Sequence, residues 1–154
     1  MFVYLVQIYK TMTDFDKAFD EVQLLVTKFE NNVQHYMLST YSEAEARQDF
    51  IDNFFTALGW DVSHKHQHDP HKQDVKIEKS QKQQNESARK RADYAFYNAP
   101  NFKDVHFFVE AKKPAVLIQN NPIHYFQTIK YGWNAMCPIS VLTDFEELVI
   151  VDCR

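Results

Sequence analysis

Apolar positions along the chain change their spacing several times, and each change marks an element. From Asp14 to Tyr36 the residues Phe15, Ala18, Phe19, Val22, Leu25, Val26, Phe29, Val33 and Tyr36 recur at helical intervals, which predicts a packing helix with no chemistry of its own. A second helix is expected from Ser42 to Leu58, because Ser42 and Glu45 fit a capping box and Gly59 supplies a stop. At about 100° per residue, Glu43, Arg47, Phe50, Phe54 and Leu58 fall within about 80° of one another. Glu43 therefore continues the apolar face, either as a site residue or as an exposed (i, i+4) ion-pair partner of Arg47, while Glu45, about 160° away, is left to the cap. Trp60 to His64 reads as the first core strand and Val75 to Lys79 as a short edge strand.

Farther on, residues 91–97 and 105–112 read as a hairpin. In its second strand Val105, Phe107, Val109 and Ala111 point one way and His106, Phe108, Glu110 and Lys112 the other, since strand side chains alternate. Asn121 and Pro122 then give an N-cap and a first-turn proline. The helix they open runs to Asn134, with Tyr125, Phe126, Ile129 and Trp133 as an apolar stripe and His124, Gln127, Lys130, Tyr131 and Asn134 on the opposite side. Two strands, Pro138 to Thr143 and Glu147 to Asp152, close the chain around a turn at Asp144 and Phe145. This order predicts an α/β fold with a mixed central sheet flanked by helices and an extra N-terminal helix. Residues 1–40 form an extension and packing helix, and 41–154 the main domain.

Met1 to Thr11 is apolar but too short for a membrane span, and it lacks the basic start and cleavage site of a targeting signal. It reads either as an extra edge strand or as a leader before a translation start at Met12. The 154 residues suffice for one domain. With only two glycines, neither a Walker nor a Rossmann phosphate cradle can be present. Cys137 and Cys153 lack CxxC or disulfide-scaffold spacing, which suits a reducing cytoplasm. Net charge is −4, yet residues 71–91 hold seven Lys or Arg against three Asp or Glu, a local basic stripe. Within it, Ser80 to Lys90 is a polar loop that either is simply solvated or contacts DNA phosphates through Lys82, Arg89, Lys90 and Arg91. His64, His66, His68 and His71 crowd the preceding loop; they are either ordinary loop polar residues or a Zn²⁺ site.

The chemistry concentrates at the hairpin. If its strands pair, Asp93 comes alongside Glu110, and two carboxylates at the end of apolar strands make a hard oxygen site suited to Mg²⁺, with the Lys112 ammonium one step away. The spacing D(x16)ExK from Asp93 through Glu110 to Lys112 resembles the core of the PD-(D/E)xK nucleases. The segment FFVEAKKP, with GWDV upstream, is similar to the amino-terminal cleavage domain of type IIG restriction-modification enzymes, and YSEAEARQDFIDNFFTALGWDV is similar to the helix before their first core strand. Gln127 and Tyr131 spell QxxxY, a motif that follows the ExK strand in the nuclease domains of type I restriction enzymes.

The resemblance covers about Tyr41 to Arg154 and implies a restriction-endonuclease-like nuclease domain at 41–154. It further implies that Asp93, Glu110 and the Ala111 carbonyl hold Mg²⁺, replaceable by Mn²⁺, with Glu43 helping directly or through water. Lys112 would orient the attacking water, Gln127 and Tyr131 would support the site or hold the DNA strand, and Lys130 joins the basic stretch as a DNA contact. Double-stranded DNA is the implied substrate, with methyltransferase and target-recognition regions outside these residues as partners. Ala92 departs from the motif's proline, at a position that contributes backbone shape. Two other classes stand beside this reading: a catalytically silent nucleic-acid-binding module, and a protein-interaction domain using exposed aromatics.

Overall fold

The computed structural model of the chain describes residues 2–77, 92–119 and 121–154. Five strands form one mixed sheet in chain order: β1 (Val75–Ile77), β2 (Tyr94–Tyr97), β3 (Val105–Ala111), β4 (Ile139–Thr143) and β5 (Leu148–Asp152). All neighbours are antiparallel except β3 and β4, which run parallel. A parallel pair needs a crossover, and the chain between β3 and β4 supplies it as helix α5 (Pro122–Asn134). The α/β architecture with a mixed sheet is therefore as the pattern predicts, including β1 at the sheet edge.

The alternation along β3 also holds. Phe107, Val109 and Ala111 face the main apolar cluster, with Ile51, Phe55, Val62, Val75, Tyr94, Phe96 and Val141. On the other face Phe108 meets Tyr131 of α5, ring centroids 6.4 Å apart. A second cluster joins Phe29, Tyr36, Tyr41, Ala46 and Phe50, so the N-terminal helix and the main body share one apolar contact. Phe145, at the β4–β5 turn, packs on both clusters.

Four expectations are corrected. First, Met1 to Thr11 is not an edge strand: helix α1 runs continuously from Phe2 to Asn31. No glycine or proline interrupts that stretch, and helix growth, once nucleated, adds a hydrogen bond with each residue fixed. The helix then breaks at Asn32 before a short α2 (Val33–Tyr36). Of the expected packing stripe, Phe29 and Tyr36 are buried, whereas Phe15 and Phe19 lie exposed toward the N-terminal end.

Second, Trp60 to His64 is not a strand. The Asp61 carboxylate accepts the backbone N–H groups of Lys65, His66 and Gln67 at 2.7–2.8 Å, and His64 has φ +54°. Such a local turn competes with a ladder for the same donors. Val62 and Trp60 still pack into the core, Trp60 edge-on to Phe96 and Phe107. The apolar pattern was a true burial signal carried by a loop.

Third, the helix from Ser42 is not uniform. The capping box is present, with Ser42 Oγ accepting from the Glu45 N–H at 3.2 Å and the Glu45 carboxylate accepting from the Ser42 N–H at 2.7 Å. After α3 (Glu43–Ala46), however, a π-turn spans Arg47–Ile51 before α4 (Asp52–Ala57). The widened turn shifts the buried series from Ala46 and Phe50 to Ile51 and Phe55, leaving Phe54 half-buried and Leu58 exposed.

Fourth, α5 faces the sheet with a side other than its apolar stripe. Thr128 and Gly132 are buried, while Phe126 and Trp133 are exposed. Gly132 is the cause: a Cβ there would stand 2.5 Å from Cys153 Sγ and 2.9 Å from the Cys137 carbonyl oxygen. Contact this close is open only to glycine.

Gly132→Ala tests this packing. Replacing a helical glycine by alanine ordinarily gains up to about 1 kcal/mol, but overpacking costs roughly 1–3 kcal/mol. The variant should lose stability in urea unfolding; a gain would show that α5 does not seat against Cys153.

Candidate active site

The open end of the hairpin is where the predicted residues meet. Tyr94 pairs with Val109 in the β2–β3 register, so Asp93, one residue before β2, comes opposite Glu110. Asp93 Oδ2 accepts the Ala111 N–H at 2.8 Å, tying the aspartate to the end of β3. Glu110 is buried, only 3% exposed. Its Oε1 accepts from Lys112 Nζ at 2.5 Å and from Gln127 Nε2 at 2.6 Å. Gln127 also reaches the Tyr131 hydroxyl at 2.9 Å, so the two residues of QxxxY act together, one helical turn apart on the sheet-facing side of α5. Glu43 enters from the first turn of α3, its Oε2 lying 3.6 Å from Lys112 Nζ. The register expected for Glu43 and Glu45 thus holds, Glu43 toward the site and Glu45 in the cap.

A buried carboxylate needs donors to offset its desolvation. Here burial pushes the Glu110 carboxyl up to about 7, against the hydrogen bond and charge of Lys112 and with added repulsion from Asp93 and Glu43. Glu43 is likewise raised, by burial first and with Lys112 opposing. For Lys112 burial pulls downward, but the bond to Glu110 and the charges of Glu110, Glu43 and Asp93 outweigh it, and the net shift is upward. The ammonium is therefore held firmly in its charged form.

Lys112 also shows what the place can hold. Its Nζ sits among Glu110 Oε1, the Ala111 carbonyl oxygen at 2.9 Å and Glu43 Oε2, all hard oxygen donors around one cation. That donor set fits Mg²⁺ or Mn²⁺ better than a softer metal. Asp93 adds a carboxylate with lone pairs beyond its two hydrogen bonds. Among the described residues no three His, Cys, Asp or Glu side chains already stand as a metal-holding group. His64 instead bonds the Val75 carbonyl oxygen at 2.8 Å through Nε2.

Of the proposed DNA contacts, Lys130 is exposed on α5. Lys82, Arg89, Lys90 and Arg91 lie outside the described residues.

Sequence reasoning missed three participants. The sequence pattern gives Arg47 only a place on the same helix face as Glu43, but its Nη1 bonds Asp93 Oδ1 at 3.1 Å and its Nε bonds the Tyr94 hydroxyl at 3.1 Å. Asp52 accepts from that hydroxyl at 2.6 Å. His124, on the polar side of α5, has a buried Nδ1 without a hydrogen-bond partner among the described residues, and burial, then the Lys112 charge, lowers its pKa. The signal for Arg47 and Asp52 was their spacing of five, which helical periodicity discounts.

With the geometry in place, comparison with known proteins adds one observation. The chain is 34% identical over 134 residues to the type II restriction enzyme and methyltransferase RM.Eco57I of Escherichia coli, a match covering 87% of this chain. It spans only 13% of that relative's length. No family model matches the chain, and no solved structure does. No helix among the described residues is long and apolar enough to cross a membrane.

Because the Glu110 carboxyl sits higher in the folded protein than its ordinary 4.5, the folded state binds the proton more tightly than the unfolded one. Stability should therefore fall as pH rises from about 4.5 to about 7, and Asp144, raised to about 6 by burial, acts in the same direction. In metal-free buffer Glu110→Gln should be more stable than wild type at pH 8, with the gap closing toward pH 5, as read by thermal melts across pH. A gap that widens on acidification would contradict the sign.

Proposed function

We propose that this chain is a metal-dependent DNA endonuclease domain of the restriction type, hydrolysing phosphodiester bonds. The observation that carries the reading is the convergence of Glu43, Asp93, Glu110, Lys112 and Gln127 at one strand end, in a chain similar over most of its length to part of a restriction enzyme. The PD-(D/E)xK assignment and the IIG-like division of labour, with methyltransferase and target-recognition regions supplied elsewhere, are part of the same proposal.

Asp93, Glu110 and the Ala111 carbonyl, with Glu43 directly or through water, would hold Mg²⁺ or Mn²⁺. The bound ion would polarise the scissile phosphate and lower the pKa of a water. The chain's own residues do the remaining work. Lys112, held in its charged form, would orient the attacking water and offset negative charge developing on the phosphate. Gln127, braced by Tyr131, holds the Glu110 carboxylate in one orientation. Lys130 and the basic stretch of residues 71–91 would engage the DNA backbone, contacts that position a duplex without reading its sequence.

One observation favours the rival reading, a catalytically silent nucleic-acid-binding module: Lys112 itself occupies the oxygen cluster. Cation titration separates the two. A nuclease should cut with Mg²⁺ or Mn²⁺, bind DNA without turnover in Ca²⁺, and fall silent in EDTA. Activity surviving EDTA and exhaustive dialysis would contradict the mechanism.

Asp93→Ala, Glu110→Ala and Lys112→Ala should each abolish cleavage of duplex DNA while far-UV circular dichroism stays native. Glu45→Ala should lower the melting temperature by loss of its cap and leave cleavage intact. Wild-type rates in purified Glu110→Ala or Lys112→Ala would end the nuclease assignment, and an essential Glu45 would displace Glu43 from the site.

A further inference from the structure

The π-turn that misaligned the helix brings together two residues that a regular helix keeps apart. Its closing bond runs from the Asp52 N–H to the Arg47 carbonyl. In an unbroken α-helix residues five apart point about 140° away from each other. Here both side chains converge on one phenol: the Tyr94 hydroxyl donates to Asp52 Oδ1 at 2.6 Å and accepts from Arg47 Nε at 3.1 Å. Tyr94 is fully buried, and the Arg47 guanidinium lies 4.7 Å from the centroid of its ring. The other arm of the guanidinium, Nη1, holds Asp93 Oδ1, while the Ala111 N–H holds Oδ2. The Asp93 carboxylate is thus gripped at both oxygens from two different elements.

We infer that Arg47 is a positioning residue, which uses the Tyr94 hydroxyl and Asp52 as its anchor to fix the orientation of the Asp93 carboxylate and thereby sets the cation affinity of the site. A guanidinium suits this task because its rigid fork reaches two acceptors at once, which the single ammonium of lysine cannot do in the same geometry. The widened turn has a purpose on this view, since π-turns inside α-helices concentrate at functional sites. The inference rests on the proposed cation role of Asp93 and Glu110.

The test uses the full chain with Arg47→Lys and Tyr94→Phe, both of which keep the charge at the site. Two quantities are measured: Mn²⁺ affinity by paramagnetic resonance titration, and hydrogen exchange of the Ala111 amide in the metal-free protein. Partners that orient a metal ligand typically account for about 10–100-fold in affinity. Both variants should weaken Mn²⁺ binding by about tenfold or more and speed exchange at Ala111 relative to the other amides of β3. A purely structural role would lower the melting temperature while leaving the Mn²⁺ affinity and the Ala111 amide as in wild type, and that result overturns the inference. Absence of Glu110-dependent Mn²⁺ binding in the wild type itself overturns the cation reading and this inference together, whereas wild-type binding with unchanged variants overturns this inference alone.

Discussion

A carboxylate buried at the end of β3 imposes the main constraint on this molecule. Glu110 cannot be desolvated there without donors, and among the described residues these come from different parts of the chain: Lys112 from just past the end of the same strand and Gln127 from the helix that follows. Those bonds do not fully offset the burial and the neighbouring acids, which is why its carboxyl remains raised. The end of the hairpin is therefore a place where negative charge is concentrated and incompletely compensated. Such tension is a poor way to stabilise a fold, and under the proposed function it is what a bound cation would relieve.

The secondary structure around Glu110 is arranged to deliver these partners. The crossover between the parallel strands β3 and β4 has to pass over one sheet face, and α5 does so with Gln127 and Tyr131 turned toward Glu110 and Phe108. Gly132 sets how closely that helix approaches, through Cys153 and Cys137. From the other side, the capping box ends the chain's turn at Ser42 and starts α3 with Glu43 in its first turn, within reach of Lys112. The Lys112 N–H is itself fixed by the Thr143 carbonyl at 2.8 Å, so the lysine is anchored to β4 as well as to the cluster.

Exposed aromatics on α5 follow from the same arrangement. Seating Gln127, Thr128 and Gly132 against the sheet leaves Phe126 and Trp133 on the outside, where a simple amphipathic helix would have buried them. The polar requirement of the site and the close approach at glycine together outweigh the apolar stripe.

Much of this was legible in the sequence alone. Period-two alternation in residues 105–112 placed Glu110 and Lys112 on one face, and the hairpin reading put Asp93 beside Glu110, because strand geometry leaves a side chain only two directions. The capping box separated Glu43 from Glu45 for an equally local reason. Tertiary structure decided what local rules could not express. Trp60 and Val62 look like a strand because they are buried, yet Asp61 folds the following backbone into a turn. Arg47 and Asp52 look unrelated because a straight helix separates residues five apart, and only a π-turn packed against the buried Tyr94 joins them. Periodicity reports which residues are apolar and how often they recur. It does not report where one helical turn widens or where a glycine admits a neighbouring strand, since those depend on atoms distant in sequence.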